Sequence, residues 1–266
     1  MANICQIGAG MIGQAMAIDL AGDHNVSLGD INISSIKDKI KNHPSIKVSK
    51  IDVLNQKEIL TFIKEADIVL LAVPGFLGFN ALKTIIECGK NVVDISFSPE
   101  NIMDLNDIAV QNNVTAIFDA GVAPGIPNYI FGYHNTFEEI TNFKYYVGGL
   151  PKFPKKPFNY KAPFSPIDVI EEYTRPARAK IDNKIITKKA LSDIINFEFE
   201  GIGELEAFLT DGLRTILDSD PEISKIPNLL EYTIRYPGHA KLVEKLIDEG
   251  AFSDEIIEIQ GKKITR

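Results

Sequence analysis

The chain has 266 residues, of which 45% are apolar, and its 36 acidic and 28 basic side chains give a net charge of −8. Length and apolar content predict two globular domains, and the negative charge argues against nucleic acid or an anionic membrane as a partner. With two cysteines, no leader-like N-terminus and no apolar run of membrane-spanning length, we expect a cytoplasmic protein.

Strands and helices alternate along the first part of the chain. The predicted strands are Asn3–Ile7, Val26–Asp30, Asp67–Val73, Asn91–Ile95 and Val114–Phe118, with one more contained within Ile46–Val53. Predicted helices lie between them, the last over Glu100–Asn112. This alternation predicts an α/β fold, a doubly wound Rossmann domain with a parallel sheet, over residues 1–121.

The pattern changes after a segment rich in Gly and Pro at residues 121–127. The strands predicted beyond it are Phe143–Val147, Ala177–Ile181, Lys184–Thr187 and Asn196–Glu200, and a helix is predicted over His239–Glu249. We therefore expect a second, α+β domain with a mixed or antiparallel sheet over residues 122–240. In the remaining segment, 241–266, we expect a strand over Ile256–Gln260, a turn over 261–263 and the start of another strand.

Three glycines after the first strand have the G-x-G-x-x-G spacing of a dinucleotide-binding loop. Gly8 permits the tight turn, Gly10 lets a pyrophosphate approach the backbone, and Gly13 lets the helix pack on the strand. The intervening Met11 and Ile12 open a helix whose N-terminal N–H groups attract phosphate. Glycines at this spacing also occur in ordinary loops, but the flanking strand and helix favour a cofactor site.

Asp30 ends the second predicted strand, where a carboxylate binds both hydroxyls of a ribose and repels a 2′-phosphate. The next three residues, 31–33, include no basic side chain. The sequence therefore predicts NAD as the cofactor, with the alternative that Asp30 only stabilises a turn.

Further cofactor contacts are expected at the carboxyl ends of the other strands, where ligands of open α/β sheets bind. Asp52 and Val53 are expected near the adenine. The residues expected near the nicotinamide are Val73, Pro74, Asp94, Ser96, Gly121 and Val122. For the aspartates, capping of a turn or helix is the alternative.

Several short motifs follow one another in the second half. They are Gly121-Val122-Ala123-Pro124-Gly125, Val147-Gly148-Gly149-Leu150-Pro151, residues 160–166 with 171–178, Glu200-Gly201-Ile202-Gly203, Thr210-Asp211-Gly212-Leu213-Arg214 and Arg235-Tyr236-Pro237-Gly238-His239. In this order they resemble the saccharopine dehydrogenase-like family, most closely its lysine 6-dehydrogenase branch. The resemblance covers nearly the whole chain.

The resemblance implies an NAD-dependent oxidoreductase that oxidises the ε-amine carbon of lysine, releases ammonia and forms 2-aminoadipate 6-semialdehyde, which cyclises to piperideine-6-carboxylate. Saccharopine-forming members carry an acidic residue and a cysteine at two positions where this chain has Ala123 and Val147. The alanine and valine side chains cannot transfer a proton. The alternatives are a saccharopine or carboxynorspermidine dehydrogenase-like enzyme, or a non-catalytic NAD-binding sensor.

Lysine oxidation requires a proton acceptor, a cation for the α-carboxylate, a carboxylate for the α-ammonium and an apolar trough. The candidate catalytic residues are His239, as a proton relay, and Asp211, which with Glu204 is also a candidate for the α-ammonium. The candidate substrate-binding residues are Tyr160 and Phe164 for the trough and Arg214 and Arg235, ahead of Arg175 and Arg178, for the carboxylate. Surface ion pairing of the arginines and a capping role for His239 are the alternatives.

The histidines outside this group, His24, His43 and His134, have no spacing that suggests a metal, so no metal site is predicted. The partners expected are a small-molecule amino acid and a second copy in a homodimer. The resemblance also implies that residues 241–266 pack back on the Rossmann domain.

Overall fold

The computed structural model describes residues 1–218, 225–253, 256–259 and 262–265. The chain divides into two compact units, Met1–Tyr129 and Ile130–Arg266. The division after residue 240 that the sequence suggested falls inside a helix, which begins at His239. The packing of residues 241–266 on the first unit stays a prediction.

The first unit is built on a six-stranded parallel sheet. Its strands are β1 (Asn3–Ile7), β2 (Asn25–Asp30), β3 (Ile46–Lys50), β4 (Ile68–Leu71), β5 (Val92–Asp94) and β6 (Ala116–Ile117). They lie in the order β3-β2-β1-β4-β5-β6, and every neighbouring pair is parallel. The predicted Rossmann-type sheet is thus confirmed, and the strand order reverses between β1 and β4.

The helices of this unit are α1 (Met11–Leu20), α2 (Asp38–Lys41), α3 (Gln56–Phe62), α4 (Gly75–Glu87) and α5 (Asn106–Gln111). One core cluster joins β1, β4 and β5 to α3 and α4, and a second joins β2 to α1 and α2. Several elements are shorter than predicted, among them β4, which covers Ile68–Leu71 of the predicted Asp67–Val73, and β6, which covers Ala116–Ile117 of the predicted Val114–Phe118. The helix expected over Glu100–Asn112 begins as a 3-10 turn at Ile102–Leu105, and β3 ends at Lys50 because Asp52 starts a turn.

The second unit contains a mixed six-stranded sheet. Its strands are β7 (Asn142–Val147), β8 (Ala177–Ile181), β9 (Lys184–Lys188), β10 (Ile195–Phe199), β11 (Gly203–Leu209) and β12 (Asn228–Arg235). The order is β10-β11-β12-β8-β9, and β7 pairs with β12. β7 runs parallel to β12, and the other pairings are antiparallel.

Four helices complete the second half: α6 (Ile126–Asn135), α7 (Pro166–Thr174), α8 (Thr215–Asp218) and α9 (His239–Asp248). Alternation along β12 separates two faces of the sheet. Leu230, Tyr232 and Ile234 contribute to an apolar cluster with residues of β8 and β11. The opposite face carries Glu231, Thr233 and Arg235, each 2% exposed. The candidate site in this unit is built on that polar face.

The last two strands are β13 (Ile256–Ile259) and β14 (Lys262–Thr265), which pair antiparallel. The turn predicted over 261–263 is wrong at Lys262 and Lys263, which belong to β14. Gln260, Gly261 and Arg266, included in the predicted strand, turn and second strand, lie outside the described residues. Among the helices that the structure describes, none has the length and apolarity needed to cross a membrane.

Candidate functional site

The loop between β1 and α1 requires glycine at two of the three predicted positions. Gly8 has φ +103°, and a Cβ there would lie 2.2 Å from the carbonyl oxygen of Ala72. A Cβ on Gly13 would lie 2.2 Å from the carbonyl oxygen of Gly8. A Cβ on Gly10 would have nothing within 4 Å. The first and third glycines are therefore needed for packing, while the second keeps a space open.

A buried glutamine, which the sequence analysis missed, holds this loop. The Gln6 side chain is 0% exposed, and its Nε2 donates to the carbonyl oxygens of Gly8, at 2.9 Å, and Gly13, at 2.7 Å. A glutamine within an otherwise apolar central strand is the signal that could have revealed it. The loop shape is thus fixed by the protein alone.

The N-terminus of α1 has the features that a dinucleotide pyrophosphate requires. Gly10 is the N-cap and has no side chain to bond the first N–H groups of the helix. Met11 and Ile12 are 60% and 45% exposed, so the first turn opens outward. Free N–H groups and a positive dipole end attract phosphate, and the open space at Gly10 lets it approach. The residues present fit a dinucleotide.

Asp30 lies beside this loop at the end of β2. Its Oδ2 accepts a hydrogen bond from the Ala9 N–H at 2.7 Å, and its Oδ1 accepts one from the Asn32 N–H at 2.7 Å. Both bonds orient the carboxylate, and each oxygen keeps a lone pair that can accept from another donor. The structure thus brings Asp30 and the glycine loop together, as predicted.

The other predicted cofactor residues lie at the expected strand ends, and several have local structural roles. Asp52 Oδ1 accepts from the Leu54 N–H at 2.9 Å, which forms a turn. Val53 and Val73 pack on the core, and Pro74 is the N-cap of α4. Their contacts with a cofactor stay predictions.

The segment predicted at Gly121 and Val122 forms a tight loop. Gly121 bridges to Gly125, whose φ is +147° and whose Cβ, if present, would lie 1.8 Å from the Gly121 carbonyl oxygen. Val122 is 68% exposed. The glycine at 125 is therefore required for the loop, and the role of Gly121 and Val122 in cofactor binding stays a prediction.

Asp94 ends β5 and is 1% exposed. Its Oδ1 accepts from the N–H of Ser96 at 2.8 Å and from the Ser96 Oγ at 2.6 Å, whereas its buried Oδ2 has no hydrogen-bond partner among the described residues. Burial raises the pKa of this carboxyl to about 7, the bonds from Ser96 oppose the rise, and the nearby charge of Asp119 adds to it.

In the second unit, Arg235 is the centre of a buried polar network. Its Nη2 donates to Glu172 Oε2 at 2.7 Å, its Nε to the Tyr173 hydroxyl at 3.2 Å, and its Nη1 to the carbonyl oxygen of Ile234 at 2.9 Å. The guanidinium carbon lies 4.3 Å from the centre of the Tyr160 ring. Three of its five N–H groups are therefore committed within the protein.

His239 belongs to the same network and is 3% exposed. Its Nε2 lies 2.9 Å from the Tyr173 hydroxyl and its Nδ1 lies 2.8 Å from the carbonyl oxygen of Phe158. The carbonyl can only accept, so Nδ1 carries the hydrogen and Nε2 accepts from the tyrosine. Burial lowers the pKa of His239, and Arg235 lowers it further. The neutral form of the ring is therefore favoured, and its predicted catalytic role stays a prediction.

The aromatic pair predicted as an apolar trough lies next to this network. Tyr160 and Phe164 pack on the cluster that contains Val169, Tyr173 and Phe208. The ring of Tyr160 is 5.2 Å from that of His239, and burial raises the pKa of the Tyr160 hydroxyl. The structure brings Arg235 and His239, which are close in the sequence, together with Tyr160 of the predicted trough.

Asp211 and Arg214 form a separate ionic group. Asp211 Oδ1 accepts from Arg178 Nε at 3.0 Å, and its Oδ2 accepts from Arg214 Nη1 at 3.1 Å. Asp211 therefore binds two of the predicted arginines, and its catalytic role stays a prediction. Another candidate, Arg175, pairs with Glu171 at 2.7 Å.

Two buried carboxyl groups were missed by the sequence analysis. Glu206 is 5% exposed and accepts from the N–H groups of Gly238 and Ala240, at 2.7 and 2.6 Å, so it caps α9. Glu231 accepts from the Thr210 hydroxyl at 2.5 Å and the Gly212 N–H at 3.1 Å. Burial raises the pKa of Glu231 to about 7. Within the part of the chain that the structure describes, no group of His, Cys, Asp and Glu side chains is arranged to hold a metal ion.

Two family models match consecutive parts of the chain. The Saccharopine dehydrogenase NADP binding domain matches residues 4–117, and the Saccharopine dehydrogenase C-terminal domain matches residues 121–264. These ranges cover most of both units.

Individual relatives are distant and longer. A saccharopine dehydrogenase [NADP(+), L-glutamate-forming] of Saccharomyces cerevisiae is 24% identical over 273 residues, which span 98% of this chain and 61% of that protein. An alpha-aminoadipic semialdehyde synthase of Arabidopsis thaliana is 23% identical over 91% of this chain and 24% of its own length. The chain thus spans less than two thirds of either relative.

A solved structure has the same fold. The apo saccharopine dehydrogenase (L-Glu forming) from Saccharomyces cerevisiae superposes with a TM-score of 0.73 and 23% identity, over 97% of this chain and 60% of that chain. The likeness extends through both units of the chain.

Proposed function

The chain belongs to the saccharopine dehydrogenase family, and on that premise we propose that it is an NAD-dependent dehydrogenase that oxidises the carbon–nitrogen bond of an amino acid, with lysine as substrate. The observation that carries the proposal is the carboxylate of Asp30, held beside the glycine loop by the N–H groups of Ala9 and Asn32. A cytoplasmic location and a homodimer belong to the same proposal and stay predictions.

The cofactor preference follows from the charge at the end of β2. The matching family model is described as NADP-binding, and its yeast relative is described as NADP(+)-dependent. In this chain a 2′-phosphate would approach the Asp30 carboxylate, with no basic side chain at residues 31–33 to offset the repulsion. The ribose hydroxyls of NAD can instead donate to that carboxylate.

The substrate preference rests on Ala123 and Val147. The saccharopine-forming members that the chain resembles carry proton-transferring side chains at these positions, and this chain has apolar ones. Proton transfer must then use other groups, which favours a different amino-acid substrate. The lysine-branch motifs around Arg235 and His239 support lysine as that substrate.

The chain's own residues supply positioning and charge. A bound nicotinamide supplies the hydride acceptor. In the second unit, Arg235 has two N–H groups beyond its three committed ones and Arg214 faces Asp211, so either can hold a substrate carboxylate by charge-assisted bonds. The partly buried rings of Phe164 and Tyr160 offer apolar surface for an aliphatic stem.

The deciding experiment measures absorbance at 340 nm with the purified full chain, NAD or NADP, and a panel of amines. We expect lysine with NAD to give a signal and saccharopine to give none. The ε-carbon can transfer a hydride only when the amine it bears is neutral. The rate should therefore rise with pH towards the unperturbed amine pKa of about 10.4.

Cadaverine, which has no carboxylate, is the matched control substrate. Cadaverine oxidised as fast as lysine would exclude a carboxylate-binding arginine. Faster turnover of saccharopine with NADP would replace the proposal with the activity named for the yeast relative. If no amine reduces either cofactor, a non-catalytic NAD-binding sensor replaces the enzyme.

A further inference from the structure

The carboxyl group of Asp94 lies where the sheet of the first unit presents its ligand-binding edge. It is the last residue of β5, next to β4, and the strand order of the sheet reverses between β4 and β1. Ligands of open α/β sheets bind outside the carboxyl ends of strands at such a reversal. A buried carboxyl oxygen without a hydrogen bond costs free energy, so its presence at this edge of the sheet calls for a functional explanation.

We propose that Asp94 is a positioning residue that stores a proton taken from the substrate amine and exchanges it through the hydroxyl group of Ser96. The inference rests on the proposed amine oxidation. It assigns removal of the proton, which precedes hydride transfer, to residues of the first unit. The side chains of Ala123 and Val147 cannot perform that step.

The hydrogen bonds define the route. Asp94 is 1% exposed, so its proton can reach the outside only through a neighbouring group. The Ser96 hydroxyl donates to Asp94 Oδ1 at 2.6 Å, and the Ser96 N–H fixes the same oxygen at 2.8 Å. Helix α4 approaches so closely that a Cβ on Gly78 would lie 2.2 Å from Ser96 Oγ. The hydroxyl is therefore held in place against the carboxyl.

A second acidic residue, Asp119, raises the pKa of the Asp94 carboxyl group. Asp119 follows β6, is 7% exposed and has φ +50°, a conformation that costs free energy for a residue with a side chain. Among the described charged groups, it is the one whose field acts on Asp94, and it raises the pKa of that carboxyl alongside burial. A carboxyl that titrates near neutrality can both accept and release a proton at physiological pH.

The substrate ammonium gives a proton to Ser96 Oγ as the Ser96 proton moves to the Asp94 carboxylate, which leaves a neutral amine. The adjacent carbon then transfers a hydride to NAD⁺, forming a protonated imine and NADH. The Asp94 carboxyl afterwards returns its proton to solvent through the same hydroxyl.

The first test needs no substrate. Carboxyl carbons of ¹³C-labelled aspartate are titrated by NMR in the full chain. We expect one resonance with a midpoint near 7, absent in Asp94→Asn, shifted to lower pH in Asp119→Asn and unchanged in the exposed control Asp107→Asn. If no aspartate titrates above pH 6, or the resonance persists in Asp94→Asn, Asp94 stores no proton.

The second test uses the pH profile of kcat with lysine. The native profile should rise with a midpoint near 7, the midpoint of the Asp94 titration. Asp94→Asn and Ser96→Ala, each checked for folding by circular dichroism, should lose this rise and lower kcat by about 10²- to 10⁴-fold, as expected for loss of a general base. A native-like pH profile in both variants overturns the relay while leaving the enzyme proposal intact. A native chain that oxidises no amine overturns both.

Discussion

Glu231 differs from the other buried carboxylates of the second unit in how its charge is compensated. Asp211 meets two guanidinium groups, and Glu206 meets two N–H groups at the start of α9. The carboxyl group of Glu231 is bonded by one hydroxyl and one N–H while 2% exposed. Burial therefore dominates and raises the pKa of Glu231 to about 7.

This shift predicts how stability changes with pH. The folded-state pKa of Glu231 lies above its unfolded value, so the folded state binds more protons and the free energy of unfolding falls as pH rises from about 4.5 to about 7. Glu231→Gln should remove this contribution, on the order of a few kcal/mol. The measurement is urea unfolding at pH 5 and pH 8.

The matched control is Glu204→Gln, on exposed surface of β11. We expect the native chain and this control to lose stability between pH 5 and pH 8, and Glu231→Gln to lose less. Equal losses in all three proteins would show that Glu231 is ionised in the folded state throughout this range.

At the scale of elements, the loop between β1 and α1 uses glycine in two ways: Gly13 is needed for packing, and Gly10 leaves space for a ligand. Gly13→Ala should destabilise the chain by about 1–3 kcal/mol, because its Cβ meets the Gly8 carbonyl oxygen and displaces the bonds of Gln6. Gly10→Val should leave stability within about 1 kcal/mol of the native chain, since the position is open, and abolish NAD binding.

Thermal unfolding and NAD titration of both variants test this separation. The Gly10 variant serves as the folding control for the Gly13 variant. Normal NAD binding by a folded Gly10→Val chain would place the cofactor elsewhere, and an unchanged unfolding temperature in Gly13→Ala would mean that the helix can shift without cost.

The first unit could be predicted from sequence because its elements are local. Continuous apolar runs such as Asp67–Val73 and the glycine spacing each report on a few consecutive residues. The second unit was predicted less well. Strands β11 and β12 were both missed. The identity of β12 depends on pairing with β7, far away in sequence, and on a polar face that breaks the apolar pattern.

The candidate residues show the same division. Asp30 was found because its position relative to the glycine loop is set by one βαβ unit. The roles of Glu206, Glu172 and Tyr173 were not found, because each acts on a residue at least 32 positions away, such as Gly238 or Arg235. No local pattern records such a contact.

For the whole molecule, cofactor binding should increase the free energy of unfolding. A ligand that binds only the folded chain adds about 2.7 kcal/mol to the free energy of unfolding at 100 times its Kd. We expect NAD to raise the unfolding temperature more than NADP at equal concentration. Asp30→Ala should narrow the difference, and Asp23→Ala, in an exposed turn, should leave it unchanged. A larger rise with NADP in the native chain would reverse the assigned cofactor.

The buried Gln6 side chain has a consequence for protein engineering. Its single amide nitrogen ties the first glycine of the loop to the third, so the loop is shaped while the chain folds. Grafting only the glycine pattern onto another strand–helix junction would supply the flexibility of this loop without its brace. A transplant that carries the glutamine two residues ahead of the first glycine should reproduce a rigid phosphate-binding turn. The loop then loses its conformational entropy when the chain folds, and not when a ligand binds.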